Sequence, residues 1–362
     1  MKRLRAHTRS RDYDVLIGRD CLGELGPALA RCCPGGQVAV GCDEHVAPLY
    51  LAAVCEGLRA AGFAVSELVI PAGEREKSLA RAEELYGVLH DRGLRRNDTV
   101  LALGGGVVGD LFGHVAATFQ RGVRLAQVPT TLLAQVDAAL GGKVAVDFRG
   151  AKNYVGTFYQ PRLVFMDLLT LGTLPARELR SGAAEVAKYA LLAGGHLLAG
   201  AERLAAAPLT AERLSQRLVR DCAALKLAVV AEDEREEAGG RAVLNLGHTV
   251  GHAIETATAL SRFSHGEAVA LGLRAVLRLS GRLCGLSRAD ADRGEALLDG
   301  LGLPRRLDAV PVDDVCAHIR RDKKAGAEGV GYVLLDAIGR PRLDVRVPAE
   351  LEREVVEWLT TH

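Results

Sequence analysis

The sequence predicts two successive domains: an α/β domain with a parallel sheet over residues 1–175, and an all-α domain over residues 176–362. Three observations support this prediction. A chain of 362 residues is longer than a single hydrophobic core usually organises. Up to about residue 170, short apolar runs alternate with helical stretches, which is typical of the βαβ pattern. Beyond that point, long amphipathic helical patterns replace the strands.

The strands of the first domain are short apolar runs that are followed by turns or helical patterns. An initial pair, LRAHTRS and YDVLIG, is expected to form two neighbouring strands. The later runs are QVAVGC, AVSELVI, DTVLALGGG, VRLAQVP and RLVFMD. Helical patterns follow the first three of these later runs, at 47–61, 74–92 and 107–118.

The second domain is predicted to consist of helices with one small hairpin. The helical patterns cover roughly 176–193, 210–231, 241–258, 265–283, 289–300 and 313–324. GVGYVLL and AIGRPRLDV form the hairpin, which precedes a terminal helix LEREVVEWL. The alanine-rich stretch 199–211 is expected to be a surface connection.

Composition excludes several classes of function. The chain has 46 Lys and Arg against 45 Asp and Glu, so its net charge of +1 gives no overall reason to bind nucleic acid or an anionic membrane. Charge or glycine interrupts every apolar stretch before it reaches membrane-spanning length, and the N-terminus lacks an apolar signal core. We therefore expect a cytoplasmic protein. Its eight cysteines include no CxxC pair and are expected to be reduced thiols.

A glycine-rich turn is the first candidate binding element. In DTVLALGGGVVGD, an apolar strand ends in three glycines and Gly109 follows at the start of a helix. Glycines at this place let backbone amides approach a phosphate, although such a turn can also serve packing alone. A dinucleotide is the expected ligand. Asp43, at the end of the VAVGCD strand, is expected either to accept ribose hydroxyls or to cap a helix.

Three of the ten histidines lie between residues 244 and 267. His248 and His252 are four residues apart, hence on one helical face, and His265 follows a polar turn. Such a cluster is costly to bury without a metal, a charge partner or a hydrogen-bond network, so metal binding or acid–base chemistry is favoured over core or surface histidines. Spacing alone would make His248 and His252 the ligand pair.

Charged residues elsewhere have both a functional and a plain interpretation. Glu185 and Lys188 share a helical face, where a surface ion pair is the simpler reading. Lys143, Arg149 and Lys152 lie in a glycine-rich loop that is either solvated or binds a phosphate or carboxylate. Together, these patterns indicate a metal-assisted alcohol oxidation on an anionic substrate.

From about residue 97 to 340 the chain closely resembles 3-dehydroquinate synthase. The matching blocks are GGGVVGD (104–110), QVPTTLLAQVDAALGGK (127–143), KNYVGTFYQP (152–161), TLPARELRSGAAEVAKY (173–189), LNLGHTVGHAIE (244–255), SHGEAVALG (264–272) and RDKK (321–324). Residues 1–96 match more loosely, through GEREKS at 73–78.

The resemblance implies a Rossmann-like N-terminal domain, an α-helical C-terminal domain, an active site between them and a homodimer. It implies conversion of the phosphorylated sugar acid 3-deoxy-D-arabino-heptulosonate 7-phosphate to 3-dehydroquinate and phosphate. That reaction proceeds by transient oxidation with NAD, β-elimination, re-reduction and an intramolecular aldol step. A zinc or cobalt ion would be held by Glu185, His248 and His265, and His252 would instead serve acid–base chemistry and hydrogen bonding.

The resemblance also implies residues for NAD and for the substrate. The expected NAD contacts are Asp43, Glu74, Lys77, Gly105, Gly106, Val107, Asp110, Thr130, Thr131, Lys143, Lys152, Thr170, Leu171, Gly172 and Thr173. The expected residues around the substrate are Asp137, Lys143, Asn153, Lys188, Lys226, Glu236, Arg241, Asn245, His252 and one or both of Lys323 and Lys324. Arg121 is expected to reach the phosphate of the neighbouring subunit's substrate.

Two departures from the family pattern and three rival functions accompany this reading. DEREEAGGR (233–241) is one residue longer than usual, so either Glu236 or Glu237 takes the acidic position. His114 replaces an aromatic or small residue and is expected to have a packing or polar surface role.

The rival functions are those of a sister cyclase (2-deoxy-scyllo-inosose, epi-valiolone or aminodehydroquinate synthase), a polyol dehydrogenase and a non-catalytic binding protein. Lys226 and Arg241 match positions that face the substrate carboxylate, which favours 3-dehydroquinate synthase over the cyclases whose substrates lack a carboxylate. Aminodehydroquinate synthase acts on a carboxylated substrate and stays an alternative.

Overall fold

The computed structural model describes residues 1–258, 262–321, 325–326 and 329–361. Contacts between Cα atoms divide the chain into two compact units. The first unit comprises Met1–Leu174 together with Lys226–Arg235, and the second comprises Pro175–Leu225 together with Glu236–His362.

The first unit is built on a seven-stranded sheet with the order β1-β2-β9-β6-β5-β3-β4. The strands of this unit are β1 (Lys2–Ala6), β2 (Tyr13–Gly18), β3 (Gln37–Asp43), β4 (Ala64–Ile70), β5 (Thr99–Gly104), β6 (Arg124–Pro129), β7 (Lys143–Phe148), β8 (Ala151–Phe158) and β9 (Leu163–Asp167). β1 pairs antiparallel with β2, and the other pairs within the sheet are parallel. The predicted parallel sheet is therefore confirmed.

Helices cover both faces of this sheet. They are α1 (Leu25–Cys32), α2 (Ala52–Ala60), α3 (Leu79–Asp91) and α4 (Gly106–Thr118). One apolar core contains buried side chains of α1 and α2, and the other contains those of α3 and α4. Because both faces are covered, the central strands are apolar throughout their length, as β5 (TVLALG) illustrates.

Residues 143–158 differ from the sequence interpretation, which placed Lys143 and Lys152 in a glycine-rich loop. They form an antiparallel hairpin of β7 and β8. Val144 and Val146 point into the core that α3 and α4 share, which explains why this segment is a strand. The alternating apolar residues of KVAVDF were a strand signal that the flanking glycines obscured.

The second unit is mainly helical, as predicted. Its helices are α5 (Ala176–Ala193), α6 (Gly195–Ala205), α7 (Gln216–Glu232), α8 (His248–Ala257), α9 (His265–Leu283), α10 (Arg288–Gly300), α11 (Val312–Arg321) and α12 (Ala349–Thr361). The C-terminal part of α7, from Lys226, belongs to the first unit. The strands β10 (Ala325–Gly326), β11 (Gly329–Ala337) and β12 (Arg340–Arg346) form a small antiparallel sheet that includes the predicted hairpin.

Two helical predictions in this unit need correction. The alanine-rich stretch 199–211 is not only a surface connection, because α6 runs to Ala205 and buries Leu197, Leu198, Ala201 and Leu204. The single helix predicted over 241–258 is divided: a 3₁₀ turn, Gly240–Asn245, precedes α8, and Gly247 between them has a left-handed backbone with φ +79°. None of the described helices combines the length and apolar composition that a membrane crossing requires.

Candidate functional site

A turn of three glycines, residues 104–106, connects β5 to α4. A Cβ atom on Gly104 would lie 2.7 Å from Val108 Cβ, and one on Gly105 would lie 2.9 Å from Thr131 Cγ2. Both distances are shorter than real Cβ contacts, so a side chain at either position would force neighbouring atoms to shift. At Gly106 the nearest atom would be Ala138 Cβ at 3.7 Å. The turn therefore presents the N-terminus of α4 without side chains in the way, as a bound phosphate requires.

A group of charged side chains lies in the same unit, and all its members are predicted NAD contacts. Lys77 Nζ lies 2.7 Å from Asp110 Oδ2 and 3.7 Å from Glu74 Oε1, and Lys152 Nζ lies 3.8 Å from the same Glu74 oxygen. Burial alone would lower the pKa of Lys77, but Asp110 and Glu74 outweigh burial and raise it. The buried Lys77 therefore carries a positive charge close to the first turn of α4.

The predicted nucleotide threonines follow the carboxyl ends of two neighbouring strands. Thr130 follows β6, and Thr170 lies in the 3₁₀ segment Leu168–Thr173 after β9. Gln135, which the sequence interpretation did not single out, donates through Nε2 to Pro129 O and Asp167 O, both at 3.1 Å. Gln135 therefore fixes the two strand ends that carry these threonines.

Asp43 closes a turn and does not cap a helix, because the N-cap of the helical segment Ala47–Leu51 that follows it is Val46. It ends β3, and its Oδ1 accepts hydrogen bonds from the backbone N–H groups of His45 and Val46, both at 2.9 Å. Both bonds are short-range turn contacts of the kind that Asp side chains commonly make.

The β7–β8 hairpin connects a predicted substrate residue to the nucleotide group. Asp147 donates its backbone N–H to Lys77 O at 2.8 Å, and its Oδ1 accepts the backbone N–H of Asn153 at 2.8 Å. Asn153 has a left-handed backbone with φ +52°. Burial raises the pKa of Asp147. Asp147 therefore links the backbone of Asn153 to the backbone of Lys77, and it is a second residue that the sequence interpretation missed.

Two further substrate candidates meet in the first unit. Lys226, near the end of α7, has its Nζ 2.9 Å from Asp137 Oδ1 and 2.7 Å from Asp137 O. Lys226 is buried, so its charge is held in place by this pair of oxygens.

Arg121 lies on the surface after α4, where Gln120, Arg121 and Gly122 have consecutive positive φ angles of 49°, 61° and 111°. Strain of this kind in residues other than glycine is typical of functional positions.

The second unit gathers the predicted metal ligands, Glu185, His248 and His265, which we call the Glu–His–His cluster. Glu185 lies on α5, whereas His248 and His265 are the first residues of α8 and α9. A Cβ on Gly266 would overlap Ser181 O of α5, so a glycine after His265 permits the close approach of α9 to α5.

The atoms of this cluster are arranged around one carboxylate. His248 Nε2 lies 3.6 Å and His265 Nε2 lies 3.4 Å from Glu185 Oε1. One ligand atom from each of the three residues lies within 4.8 Å of the others. A carboxylate and two imidazoles that leave further positions open are typical of catalytic zinc sites. The donor set therefore fits a zinc or cobalt ion.

The electrostatics of the cluster also favour a cation. Burial lowers the pKa of His248 to about 3, so its imidazole is neutral and can serve as a ligand. Burial also acts to lower the pKa of His265, but hydrogen bonds to Glu185 and Glu255 outweigh it and raise the pKa to about 10. The carboxylates thus stabilise a positive charge at His265, and a divalent ion bound there would supply that charge.

His252 occupies a different position from the one that spacing alone suggested. It is exposed on α8, with its ring 5.2 Å from that of His248 and 6.2 Å from that of His265, between centroids. The Nε2 atoms that face Glu185 belong to His248 and His265 instead. His252 thus borders the cluster and is open to solvent.

The Glu185–Lys188 pair is buried, whereas the sequence favoured a surface ion pair. Its Nζ lies 2.5 Å from Glu185 Oε2, and the side chains are 2% and 0% exposed, so the pair is not on the surface. Lys188 Nζ also lies 4.6 Å from the centre of the Tyr189 ring. The cluster therefore has a buried cation on one side of its carboxylate.

The segment before α8 holds the remaining substrate candidates. Arg241 is 2% exposed, and its Nε lies 3.5 Å from Glu236 Oε1. Glu236 and Glu237 are both exposed, and Glu236 has φ +59°. Asn245 is half-buried at the end of the 3₁₀ turn. Lys323 and Lys324 lie outside the described residues.

Both halves of the chain match family models. The 3-dehydroquinate synthase N-terminal model matches residues 67–181, and the 3-dehydroquinate synthase C-terminal model matches residues 182–325. The 3-dehydroquinate synthase of Desulforamulus reducens is 43% identical over 333 residues, covering 91% of this chain and 92% of that protein. The 3-dehydroquinate synthase of Gloeobacter violaceus is 44% identical over 349 residues, 96% of each chain.

Solved structures of sugar phosphate cyclases have the same fold. A 2-deoxy-scyllo-inosose synthase with carbaglucose-6-phosphate, NAD⁺ and Co²⁺ aligns with a TM-score of 0.87 at 26% identity, covering 98% of this chain and 99% of that one. The 2-epi-5-epi-valiolone synthase of Streptomyces hygroscopicus, with NAD⁺ and Zn²⁺, aligns with a TM-score of 0.84 at 27% identity, covering 96% of each chain. A probable glycerol dehydrogenase from Sinorhizobium meliloti shares the fold at a TM-score of 0.61 and 17% identity.

Proposed function

The chain belongs to the 3-dehydroquinate synthase family, and we propose that the residues described above bind the cofactors and the substrate of this family's reaction. The enzyme is a carbon–oxygen lyase that acts on a phosphate ester. It converts 3-deoxy-D-arabino-heptulosonate 7-phosphate to 3-dehydroquinate and phosphate, a step of the shikimate pathway. The Glu–His–His cluster on three helix positions of the second unit is the observation that carries the assignment of the site.

Two cofactors fit the residues of the chain. Residues 1–175 would bind NAD through the glycine turn, Lys77, Asp110 and Glu74, and residues 176–362 would bind Zn²⁺ or Co²⁺ through the Glu–His–His cluster. When bound, NAD takes up and returns a hydride within one turnover, and the metal ion acidifies the hydroxyl that is oxidised.

The remaining side chains would recognise and orient an anionic substrate. Lys143, Asn153, Lys226 and Asp137 of the first unit supply two cations and polar partners. Lys188 and His252 border the Glu–His–His cluster, where the solvent-exposed His252 would transfer protons, and Asn245, at the end of the 3₁₀ turn before α8, would contact the substrate. Arg241 would bind the substrate carboxylate, since the guanidinium fork suits a planar carboxylate.

Arg241 also supports 3-dehydroquinate synthase over a sister cyclase that acts on a neutral sugar phosphate. Its guanidinium is 2% exposed beside Glu236, and the planar guanidinium fork suits a carboxylate group, which these sister substrates lack. The curated 3-dehydroquinate synthases are also more similar to this chain, at 43% and 44% identity, than the two sister cyclases, at 26% and 27%.

We further propose that the enzyme works as a homodimer in the cytoplasm. The strained backbone that displays Arg121 on the surface supports a role for this residue at a neighbouring subunit. The near-neutral charge balance is consistent with a small-molecule enzyme that binds neither nucleic acid nor a membrane. Light scattering coupled to size-exclusion chromatography would measure the assembly; a monomer at assay concentrations would contradict the dimer.

One assay tests the function as a whole. The purified chain, supplied with NAD and Zn²⁺ or Co²⁺, should release phosphate from 3-deoxy-D-arabino-heptulosonate 7-phosphate, and nuclear magnetic resonance should identify 3-dehydroquinate as the carbocyclic product. Glu185→Ala, His248→Ala and His265→Ala should each abolish turnover and reduce bound metal well below one ion per chain, whereas His45→Ala on an exposed loop should leave both unchanged. Full turnover by a metal-free preparation would exclude the metal assignment.

A further inference from the structure

Glu255 is a buried carboxylate that touches the Glu–His–His cluster without belonging to it. It lies on α8, is 3% exposed, and its Oε2 lies 3.2 Å from His265 Nδ1. The ring of His265 therefore has a carboxylate at each nitrogen, since its Nε2 lies 3.4 Å from Glu185 Oε1. The family resemblance gave Glu255 no role.

The geometry restricts the tautomer of His265. A neutral imidazole carries one N–H group, and a metal ligand must present the other nitrogen as a lone pair. If Nε2 faces Glu185 and a metal ion, the proton must stay on Nδ1. The Nδ1–H group then donates a hydrogen bond to Glu255 Oε2. A carboxylate behind a ligating histidine fixes the ring orientation and increases the basicity of the ligand.

His248 provides an internal comparison. Its Nε2 also faces Glu185, but its Nδ1 lies 3.1 Å from Leu246 O, a neutral carbonyl. Its side chain is 10% exposed, whereas that of His265 is 26% exposed. Packing alone therefore constrains His265 less than His248, and the more exposed ring is the one with the charged acceptor.

We propose that Glu255 is a positioning residue that holds His265 in its metal-binding tautomer and orientation and thereby sets the affinity of the site for Zn²⁺ or Co²⁺. This inference rests on the proposed function, because it needs the Glu–His–His cluster to bind a metal ion. A rival arrangement uses the same atoms: His252, Glu255 and His265 also present ligand atoms within 4.8 Å of one another and could hold a second ion.

The test measures metal binding rather than turnover. Glu255→Gln keeps the size and one acceptor oxygen but removes the charge, and Glu255→Ala removes the acceptor. Glu352→Gln is the matched control, because Glu352 is also a buried glutamate of the second unit and hydrogen-bonds Tyr332 OH at 3.1 Å. Competition with a chromogenic chelator at fixed pH would give the dissociation constants of Zn²⁺ and Co²⁺ for the full-length apoprotein.

We expect Glu255→Ala to raise the dissociation constant about 10- to 100-fold, Glu255→Gln to raise it less, and Glu352→Gln to leave it unchanged. In a His265→Ala background, where the remaining binding is weaker and needs higher metal concentrations to measure, Glu255→Gln should have no further effect on the dissociation constant, because the ring on which it acts is gone. An effect that persists in that background would show a general structural role and overturn the proposal.

Other outcomes separate this inference from the proposed function. If the wild type binds one ion and both Glu255 variants bind it equally well, the positioning role is wrong while the metal site stands. If the wild type binds two ions and the Glu255 variants keep one at unchanged affinity, Glu255 is a ligand of a second site, and the positioning role is again wrong. If the wild type binds no ion, both the cluster and this inference fail.

Discussion

Lys188 Nζ lies 2.5 Å from Glu185 Oε2, and both side chains are almost completely buried one turn apart on α5. The other oxygen of the same carboxylate, Oε1, faces the Nε2 atoms of His248 and His265. Glu185 thus lies between the Lys188 ammonium group and the two imidazoles of the proposed metal site. In the metal-free protein, Lys188 shares the compensation of this buried charge with His265, whose pKa the same carboxylate helps to raise.

This relationship predicts that the effect of Lys188 on stability depends on metal. Lys188→Met should lower the free energy of unfolding of the apoprotein by about 3–5 kcal/mol, because it leaves the Glu185 carboxylate buried without its ammonium partner. The loss should be smaller with Zn²⁺ bound, since the ion then compensates the carboxylate. Urea denaturation of both forms measures the difference, and Lys2→Met, on an exposed part of β1, is the control. An equal loss with and without Zn²⁺ would contradict this account.

The cofactor should be needed only in catalytic amounts. If NAD takes up and returns its hydride on the same substrate molecule, product should form in many-fold excess over NAD, and NADH should not accumulate. Near-ultraviolet absorbance and phosphate release, followed together, measure both quantities. Accumulation of NADH in proportion to product would instead indicate a dehydrogenase, whose solved examples share this fold.

The glycine turn gives a prediction about nucleotide affinity. Gly105→Ala would place a Cβ 2.9 Å from Thr131 Cγ2, so the turn or Thr131 must shift, at a cost of about 1–3 kcal/mol. We expect NAD to bind about tenfold more weakly or worse, measured by calorimetry. Gly87→Ala is the matched control: a Cβ at this position on α3 would meet no atom within 4 Å, and it should raise stability slightly without affecting NAD. Unchanged NAD affinity in Gly105→Ala would mean that the turn does not approach the nucleotide.

The parallel sheet could be predicted because its central strands are buried on both faces and therefore appear as continuous apolar runs such as TVLALG. The β7–β8 hairpin was missed although KVAVDF alternates, since glycines on both sides of it suggested a loop. Helix α6 was missed because alanine and glycine hid the spacing of Leu197, Leu198 and Leu204.

Within the candidate site, local motifs indicated residue types but not how helices approach one another. The contact between Glu255 and His265 joins α8 to α9, and these helices approach closely where a Cβ on Gly272 of α9 would overlap Gly247 O, directly before α8. Sequence spacing measures distance along one helix only, which is why it paired His248 with His252. For the same reason, nothing in the sequence showed that Asp147 would hold Asn153 and the Lys77 backbone together.

His114 gives a prediction about the pH dependence of stability. It is buried on α4, its Nδ1 has no hydrogen-bond partner among the described residues, and burial lowers its pKa. In the unfolded chain its pKa is about 6.5, so the unfolded state takes up a proton first as pH falls. The folded state is then disfavoured by up to about 1.4 kcal/mol for each pH unit below 6.5, until the pKa of the folded state is reached.

The variant His114→Phe isolates this contribution. Below pH 6.5, the free energy of unfolding of His114→Phe should be at least as large as that of the wild type. The difference between the two free energies should grow as the pH falls from neutral to about 5. Urea denaturation at several pH values measures the difference, and His45→Phe, at an exposed position, should show no such trend. A constant difference between His114→Phe and the wild type across this range would show that His114 does not contribute to the pH dependence.

The last prediction uses Arg241 to separate 3-dehydroquinate synthase from cyclases whose sugar phosphate substrates have no carboxylate. Arg241→Ala would leave the substrate carboxylate without its guanidinium, which should reduce kcat/KM for the heptulosonate phosphate by about 2–5 kcal/mol, roughly 30- to several-thousand-fold. Arg217→Ala, an arginine whose side chain is 70% exposed on α7, is the matched control and should leave kcat/KM unchanged.

Substrate choice makes this test specific. Glucose 6-phosphate and sedoheptulose 7-phosphate lack the carboxylate, so the wild type should use both poorly, and Arg241→Ala should lose little further activity on either. The discrimination between substrates should therefore shrink in Arg241→Ala, because the removed interaction is made only with the carboxylated substrate. If the wild type turned over a neutral sugar phosphate as efficiently as the heptulosonate, or if Arg241→Ala left heptulosonate turnover intact, Arg241 would not be the carboxylate-binding residue, and the buried guanidinium beside Glu236 would have only a structural role.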